Sequence, residues 1–172
     1  MQGLVLYCSK YGTSKAYAEL IGEATGFAVC AAANARTVQS ADAVILCGGV
    51  YAGKIAGLRL LKKNAAKLQG KKVAVFAVGL SPADERTTAA LQRNLTGGLA
   101  GIPLFYGRGA WKSGSLKSGD RFLCRLLHGM LAKKDASQYE EPWMQTFMES
   151  YGKDCDFTDR QYLLPLLEWL RS

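Results

Sequence analysis

The sequence predicts an α/β fold: a doubly wound, five-stranded parallel sheet with helices on both faces and a helical insert after its last strand. Two observations carry the prediction. Apolar runs at Leu4–Cys8, Ala43–Cys47 and Val73–Val78 are continuous rather than alternating, as in strands buried on both faces of a parallel sheet. Segments of helical period lie between such runs, which is the pattern of βαβ units. At 172 residues and 49% hydrophobic composition the chain fits one domain over 1–172 with a sizeable core.

The elements follow in order. A first strand covers about residues 3–8. A helix covers 14–25, with Ala16, Leu20 and Ile21 on one face, and Gly26 stops it. A second strand is expected at 27–32. The stretch 34–42 is short and polar, so this crossover is abbreviated. A third strand at 43–48 leads to a helix over 55–68, with Ile55, Leu58, Leu61, Ala65 and Leu68 on its apolar face. A fourth strand at 72–78, a helix near 85–95 and a fifth strand at 102–107 complete the sheet. Asp156 or Thr158 caps a final helix, and Pro165 implies a kink or a late start there.

Three turns carry the chemistry. Ser9-Lys10-Tyr11-Gly12-Thr13-Ser14 joins the first strand to the first helix. The first amide N–H groups of a helix lack internal partners, and the helix dipole favours an anion beside them. Ser9, Thr13 and Ser14 add hydroxyls, and Gly12 allows close backbone approach. No Gly-Lys-Ser/Thr follows and no GxGxxG is present, so the turn is neither a Walker loop nor a dinucleotide fingerprint. It suits a terminal monophosphate. The same composition also caps helices that bind nothing. Gly48-Gly49-Val50-Tyr51-Ala52-Gly53 is a glycine-rich turn with one aromatic, able to lie along a planar ring. Val78-Gly79-Leu80-Ser81-Pro82 opens at the end of the fourth strand. In open α/β sheets ligands sit beyond the carboxyl ends of strands. The three turns together therefore describe a pocket for a phosphorylated planar cofactor.

On SKYGTS at 9–14, GGVYAG at 48–53 and VGLSP at 78–82 the chain resembles the flavodoxin-like family. Over about residues 1–130, including YGRGAW and DRFLCRLLHGMLAKK, it looks most like the branch that contains menaquinone-dependent protoporphyrinogen oxidase. The resemblance implies strand order 2-1-3-4-5 and FMN as cofactor. It implies that Ser9, Lys10, Tyr11, Gly12, Thr13 and Ser14 surround the phosphate. Val50, Tyr51, Ala52, Gly53, Val78, Gly79 and Leu80 then border the flavin ring. Tyr11 either stacks or merely packs. No side chain stands out as a catalytic acid, base or nucleophile.

Residues 108–155 form the insert. Gly107 to Gly119 reads as a mobile loop carrying Trp111. In 120–134, Phe122, Leu123, Leu126, Leu127, Met130 and Leu131 share one helical face, with Arg121, Arg125 and His128 on the other. Residues 136–151 read as a further short helix. The basic amphipathic helix either packs on the domain or meets a membrane surface or partner. The resemblance favours the latter, with a lipid quinone nearby.

Charge is uneven. Residues 107–134 carry 7 basic and 1 acidic side chains, whereas 135–172 carry 3 and 8, within a net charge of +8. Flavodoxins that shuttle electrons resemble one another in being acidic, and this chain departs from them. The positive balance favours an anionic partner, such as a carboxylated substrate held by Arg108 and Lys112, the alternative being that these two are solvated loop charges. No nucleic-acid motif is present. Cys8, Cys30, Cys47, Cys124 and Cys155 form no CxxC and read as small buried hydrophobes. His128, the single histidine, has a surface or packing role. Apolar runs are strand-sized, and Ser9 interrupts the first of them, unlike a secretory leader. The expected location is the cytoplasm, with contact at the inner face of the membrane through 120–134.

These readings converge on an FMN-dependent oxidoreductase, quinone-linked as the resemblance implies. A non-enzymatic electron carrier serving a redox partner is the alternative, and a flavin-free interaction domain on the same fold is a third.

Overall fold

A computed structural model describes residues 1–34, 38 and 40–172. Residues 35–37 and 39 of the abbreviated crossover expected at 34–42 lie outside the described residues. Strand β1 (Gly3–Cys8) leads into helix α1 (Thr13–Thr25), and β2 (Ala28–Ala31) returns beside β1. β3 (Ala43–Tyr51) and β5 (Lys72–Gly79) form the centre of the sheet, and β6 (Leu104–Arg108) lies beyond them. The parallel order is β2-β1-β3-β5-β6. Counting parallel strands alone, this is 2-1-3-4-5.

Both faces of the sheet are covered. On one, Val5, Ile45 and Phe76 meet Tyr17, Ala18 and Ile21 of α1 and Leu166 and Leu170 of α7 (Leu164–Arg171). On the other, Leu6, Leu46 and Val75 meet α2 (Leu58–Lys63), α3 (Ala65–Leu68) and α4 (Glu85–Gln92) through Leu58, Leu61, Leu68 and Leu91. Tyr17 adds a polar tie. Its hydroxyl donates to the Arg108 carbonyl at 2.7 Å and accepts from Asp159 N–H at 3.0 Å, joining α1 to β6 and to the approach to α7.

Several boundaries differ from the sequence-based expectations. The inner face of α1 is Ser14, Tyr17, Ala18 and Ile21, while Ala16 is exposed. The stretch 48–53 is not an open turn. β3 runs on to Tyr51 and pairs with a short antiparallel strand β4 (Lys54–Ile55). Ala52 (φ 46°) and Gly53 (φ 75°) form the tight connection, both with the positive φ of a two-residue hairpin turn. This hairpin consumes Ile55, so no helix runs over 55–68. Two short helices meet instead at Asn64, whose side-chain amide bonds back to the Leu60 carbonyl at 2.9 Å. Asp84 caps α4 by accepting from Thr87 N–H at 2.8 Å. Asp159, not Asp156 or Thr158, caps the turn before α7 through Gln161 N–H at 2.8 Å. Pro165 sits in the first turn of α7, where its missing N–H is harmless, so the late start is the observed outcome.

The insert is more ordered than a loop. β7 (Ala110–Trp111) pairs antiparallel with β8 (Cys155–Asp156), closing the ends of the insert on each other. Between them lie α5 (Ser118–Leu131) and α6 (Pro142–Ser150). Trp111 meets Phe147 edge to face at 6.3 Å, which anchors α6 to β7. Among the described residues no helix is long and apolar enough to cross a membrane.

The hairpin depends on close backbone approach. A Cβ on Gly48 would fall 2.3 Å from the Ala56 carbonyl oxygen, which is backbone and cannot swing aside. Gly48→Ala is expected to lower stability by about 1–3 kcal/mol. Urea unfolding checks this; an unchanged midpoint would contradict the packing described.

Candidate functional site

Parallel strands deliver their carboxyl ends to one edge of the sheet, and the three turns identified in the sequence meet there. They border a cavity of about 400 Å³, within the roughly 300–1,000 Å³ typical of small-molecule sites. The junction after β1 contributes Ser9, Lys10, Tyr11, Thr13 and Ser14. The β3–β4 hairpin contributes Gly49, Val50, Tyr51 and Ala52, and the end of β5 contributes Val78, Gly79, Leu80 and Ser81. Gly12 and Gly53, expected at the site, do not line the cavity. Gly12 takes the left-handed conformation (φ 96°) that starts α1. Gly53 backs onto the Trp143 ring, and its carbonyl accepts from the Asn94 side-chain amide at 3.0 Å.

The first helical bond of α1 runs from Ala16 N–H to the Gly12 carbonyl at 3.0 Å. The amides of Thr13, Ser14 and Lys15 precede it and have no helical carbonyl to serve, so this end of α1 attracts an anion. Other donors of the turn are engaged. Gly12 N–H donates to Ser9 Oγ at 3.0 Å, and Lys10 N–H donates to the Tyr51 hydroxyl at 3.1 Å. Tyr51 lies across Gly49, where an added Cβ would meet its hydroxyl at 2.7 Å. Its ring thus borders the cavity while its hydroxyl ties the second turn to the first.

The insert forms the roof, and sequence reasoning missed this. Leu123, Cys124 and Leu127 of α5 and Trp143, Thr146 and Phe147 of α6 line the far side of the cavity, with Trp111 between them. The indole N–H of Trp111 is buried and has no hydrogen-bond partner among the described residues. An unsatisfied buried donor beside a cavity fits a ligand carrying acceptors. A signal in the sequence was the clustering of Trp111, Trp143 and Phe147 in a segment otherwise rich in charge.

Asp120 was also missed. In the first turn of α5 its carboxylate accepts hydrogen bonds from Lys10 Nζ and the Tyr11 hydroxyl. These partners lower its pKa, the Lys10 bond most. Tyr11 is pushed up to about 12, by burial first and by the bond to Asp120 second. The Tyr11 hydroxyl is thus a donor to the insert.

Arg108 is engaged within the chain. Its Nε and Nη2 donate to the Leu80 carbonyl at 3.0 and 2.8 Å, and its guanidinium lies 3.7 Å from the Phe157 ring centre. It braces the third turn instead. Lys112 remains exposed. Burial pushes the Cys47 thiol up, consistent with a core position. Among the described residues no cluster of His, Cys, Asp or Glu is placed to hold a metal ion. His128 stacks on Tyr151 with ring centres 4.0 Å apart.

Arg108→Ala should cost about 2–3 kcal/mol in denaturant unfolding, through the lost carbonyl bonds and ring contact. Arg108→Lys should recover little of it, because an ammonium has neither the fork nor the stacking plane. Full recovery by Lys would contradict this bracing role.

A family model described as a flavodoxin domain matches residues 4–138. No curated protein matches the chain. Among solved structures the chain is similar to a flavodoxin from the domain Archaea, with 21% identity and a TM-score of 0.42 over 73% of this chain and 92% of the other. A Fusobacterium nucleatum flavodoxin variant bound to flavin mononucleotide shares 17% identity, with a TM-score of 0.43 over 66% and 71% of the two chains. A Pseudomonas aeruginosa flavodoxin variant shares 16%, with a TM-score of 0.39 over 77% and 97%.

Proposed function

The chain belongs to the flavodoxin-domain family, and on that premise we propose that it is an FMN-binding oxidoreductase. The observation that carries this reading is the roofed cavity where the three strand-end turns meet. Thr13 and Ser14, at the amide-rich start of α1, hold the phosphate with Ser9, while Gly12 shapes the turn. Lys10 and Tyr11 stand beside it. Val50, Tyr51 and Ala52 border one side of the flavin, with Gly53 beneath their turn. Val78, Gly79 and Leu80 border another side, and the indole N–H of Trp111 offers a donor from the roof. Bound FMN supplies the redox chemistry, exchanging hydride or single electrons. The residues of the chain bind it, orient it and limit water, and none of them is assigned proton transfer.

The electron partner in this reading is a quinone, in the cytoplasm or at the inner face of the membrane. On α5, Phe122 (61%), Leu123 (62%), Leu126 (50%) and Met130 (65%) are exposed, although Leu123 also reaches the cavity, while the apolar side chains of Cys124, Leu127 and Leu131 are more buried. Lys117, Arg121, Arg125, Lys133 and Lys134 are exposed on or next to the same helix. Exposed apolar side chains with cations on the same helix match an anionic lipid surface. The same cations favour an anionic small-molecule substrate. A non-enzymatic carrier remains the second reading, favoured by the absence of an assigned acid or base. Quinone turnover by the isolated protein supports the enzyme; reduction only through a reductase supports the carrier.

Thr13→Asp sets a carboxylate against the phosphate and should weaken FMN binding by about tenfold or more. Titration of flavin fluorescence measures this. Unchanged affinity, or a protein that never takes up FMN, would overturn the reading.

A further inference from the structure

Two side-chain donors of the anion-binding turn are already committed to a carboxylate of the same chain. Lys10 Nζ and the Tyr11 hydroxyl both donate to Asp120, and all three residues line the cavity. Asp120 projects from the first turn of α5, the helix whose Leu123, Cys124 and Leu127 form the roof. The other end of α5 is held independently, by buried Leu131 and by His128 stacked on Tyr151. The start of α5 is tied to the turn by the Asp120 carboxylate and by a hydrogen bond between the Tyr11 hydroxyl and the Lys117 backbone, beside buried Leu116, while Arg121 bonds locally to the Leu116 carbonyl at 3.2 Å.

A terminal phosphate carries nearly two negative charges at neutral pH and three strong acceptor oxygens. Lys10 and Tyr11 cannot give their full donor capacity to it and to Asp120 together, and the two anions repel. An ion pair as exposed as Lys10–Asp120 is weak, whereas a dianion also gains the free amides and dipole of α1. The phosphate therefore wins the competition.

We propose that Asp120 is a latch that mimics the cofactor phosphate: it holds α5 down on the turn and is displaced when a phosphorylated flavin binds, which makes Asp120 a determinant of flavin choice. This rests on the FMN reading above. Entry of the phosphate frees the first turns of α5 while its far end stays anchored, so cofactor binding and roof movement are coupled.

The test compares FMN with riboflavin, which lacks the phosphate. In Asp120→Asn the dissociation constant for FMN should fall about three- to tenfold while that for riboflavin changes by less than about twofold. Asp120→Ala should do the same, and circular dichroism checks that both variants fold. A merely structural role would move both ligands alike. In the wild type, amide exchange over 118–124 should accelerate on saturation with FMN. Equal shifts for the two flavins, or unchanged or slower exchange with FMN bound, would overturn the latch alone. A wild-type protein that takes up no FMN would overturn the cofactor reading and the latch with it.

Discussion

The constraint on which the rest depends is the two-sided burial of β3 and β5. Ala43–Gly49 and Val73–Val78 are buried throughout, and their register with each other is parallel. Parallel strands buried on both faces require covering helices on each side and crossovers between strands. Every strand of the parallel path then points its carboxyl end the same way. The turns at 9–14, 48–53 and 78–82 become neighbours because of this geometry, not because any of them attracts another. The site is a consequence of how the core is satisfied.

Onto that edge the insert adds a second wall. Its two ends are stitched by the β7–β8 pair, and its helices bring aromatic rings over the strand ends. The wall has opposite characters on its two sides. Inward it offers Leu127, Trp143 and Phe147 to the cavity; outward α5 leaves Phe122, Leu126 and Met130 exposed on a helix that also exposes Arg121 and Arg125. One helix thus borders both the cavity and the outer surface, and through Asp120 it also touches the turn at the start of α1.

Much of this was legible in the sequence. Continuous apolar runs located the central strands, because burial on both faces leaves no room for alternation. The turn at 9–14 was legible because hydroxyl residues and glycine stand directly between a strand and a helix. The β3–β4 hairpin was not. Gly48 and Gly49 read as the end of a strand, but their missing side chains admit the Ala56 carbonyl and the Tyr51 ring, so the strand continues past them. Helical spacing grouped Leu123 and Leu126 with Leu131, yet only part of that stripe meets the body. Periodicity identifies an apolar face and does not say what covers it. Arg108 and Asp120 were opaque for another reason. Their partners, Leu80 and Phe157 in one case and Lys10 and Tyr11 in the other, lie far away in sequence. Long-range polar contacts leave no periodic trace.

The central claim is that the first strand-to-helix junction grips a phosphate while the hairpin and the insert enclose a flavin. A crystal structure of the protein saturated with FMN tests it most directly. The account predicts phosphate oxygens within hydrogen-bond distance of the Thr13 and Ser14 amides, with the ring between Tyr51 and the Trp111–Trp143 roof. A flavin bound elsewhere, or the junction free of phosphate at saturation, would contradict it.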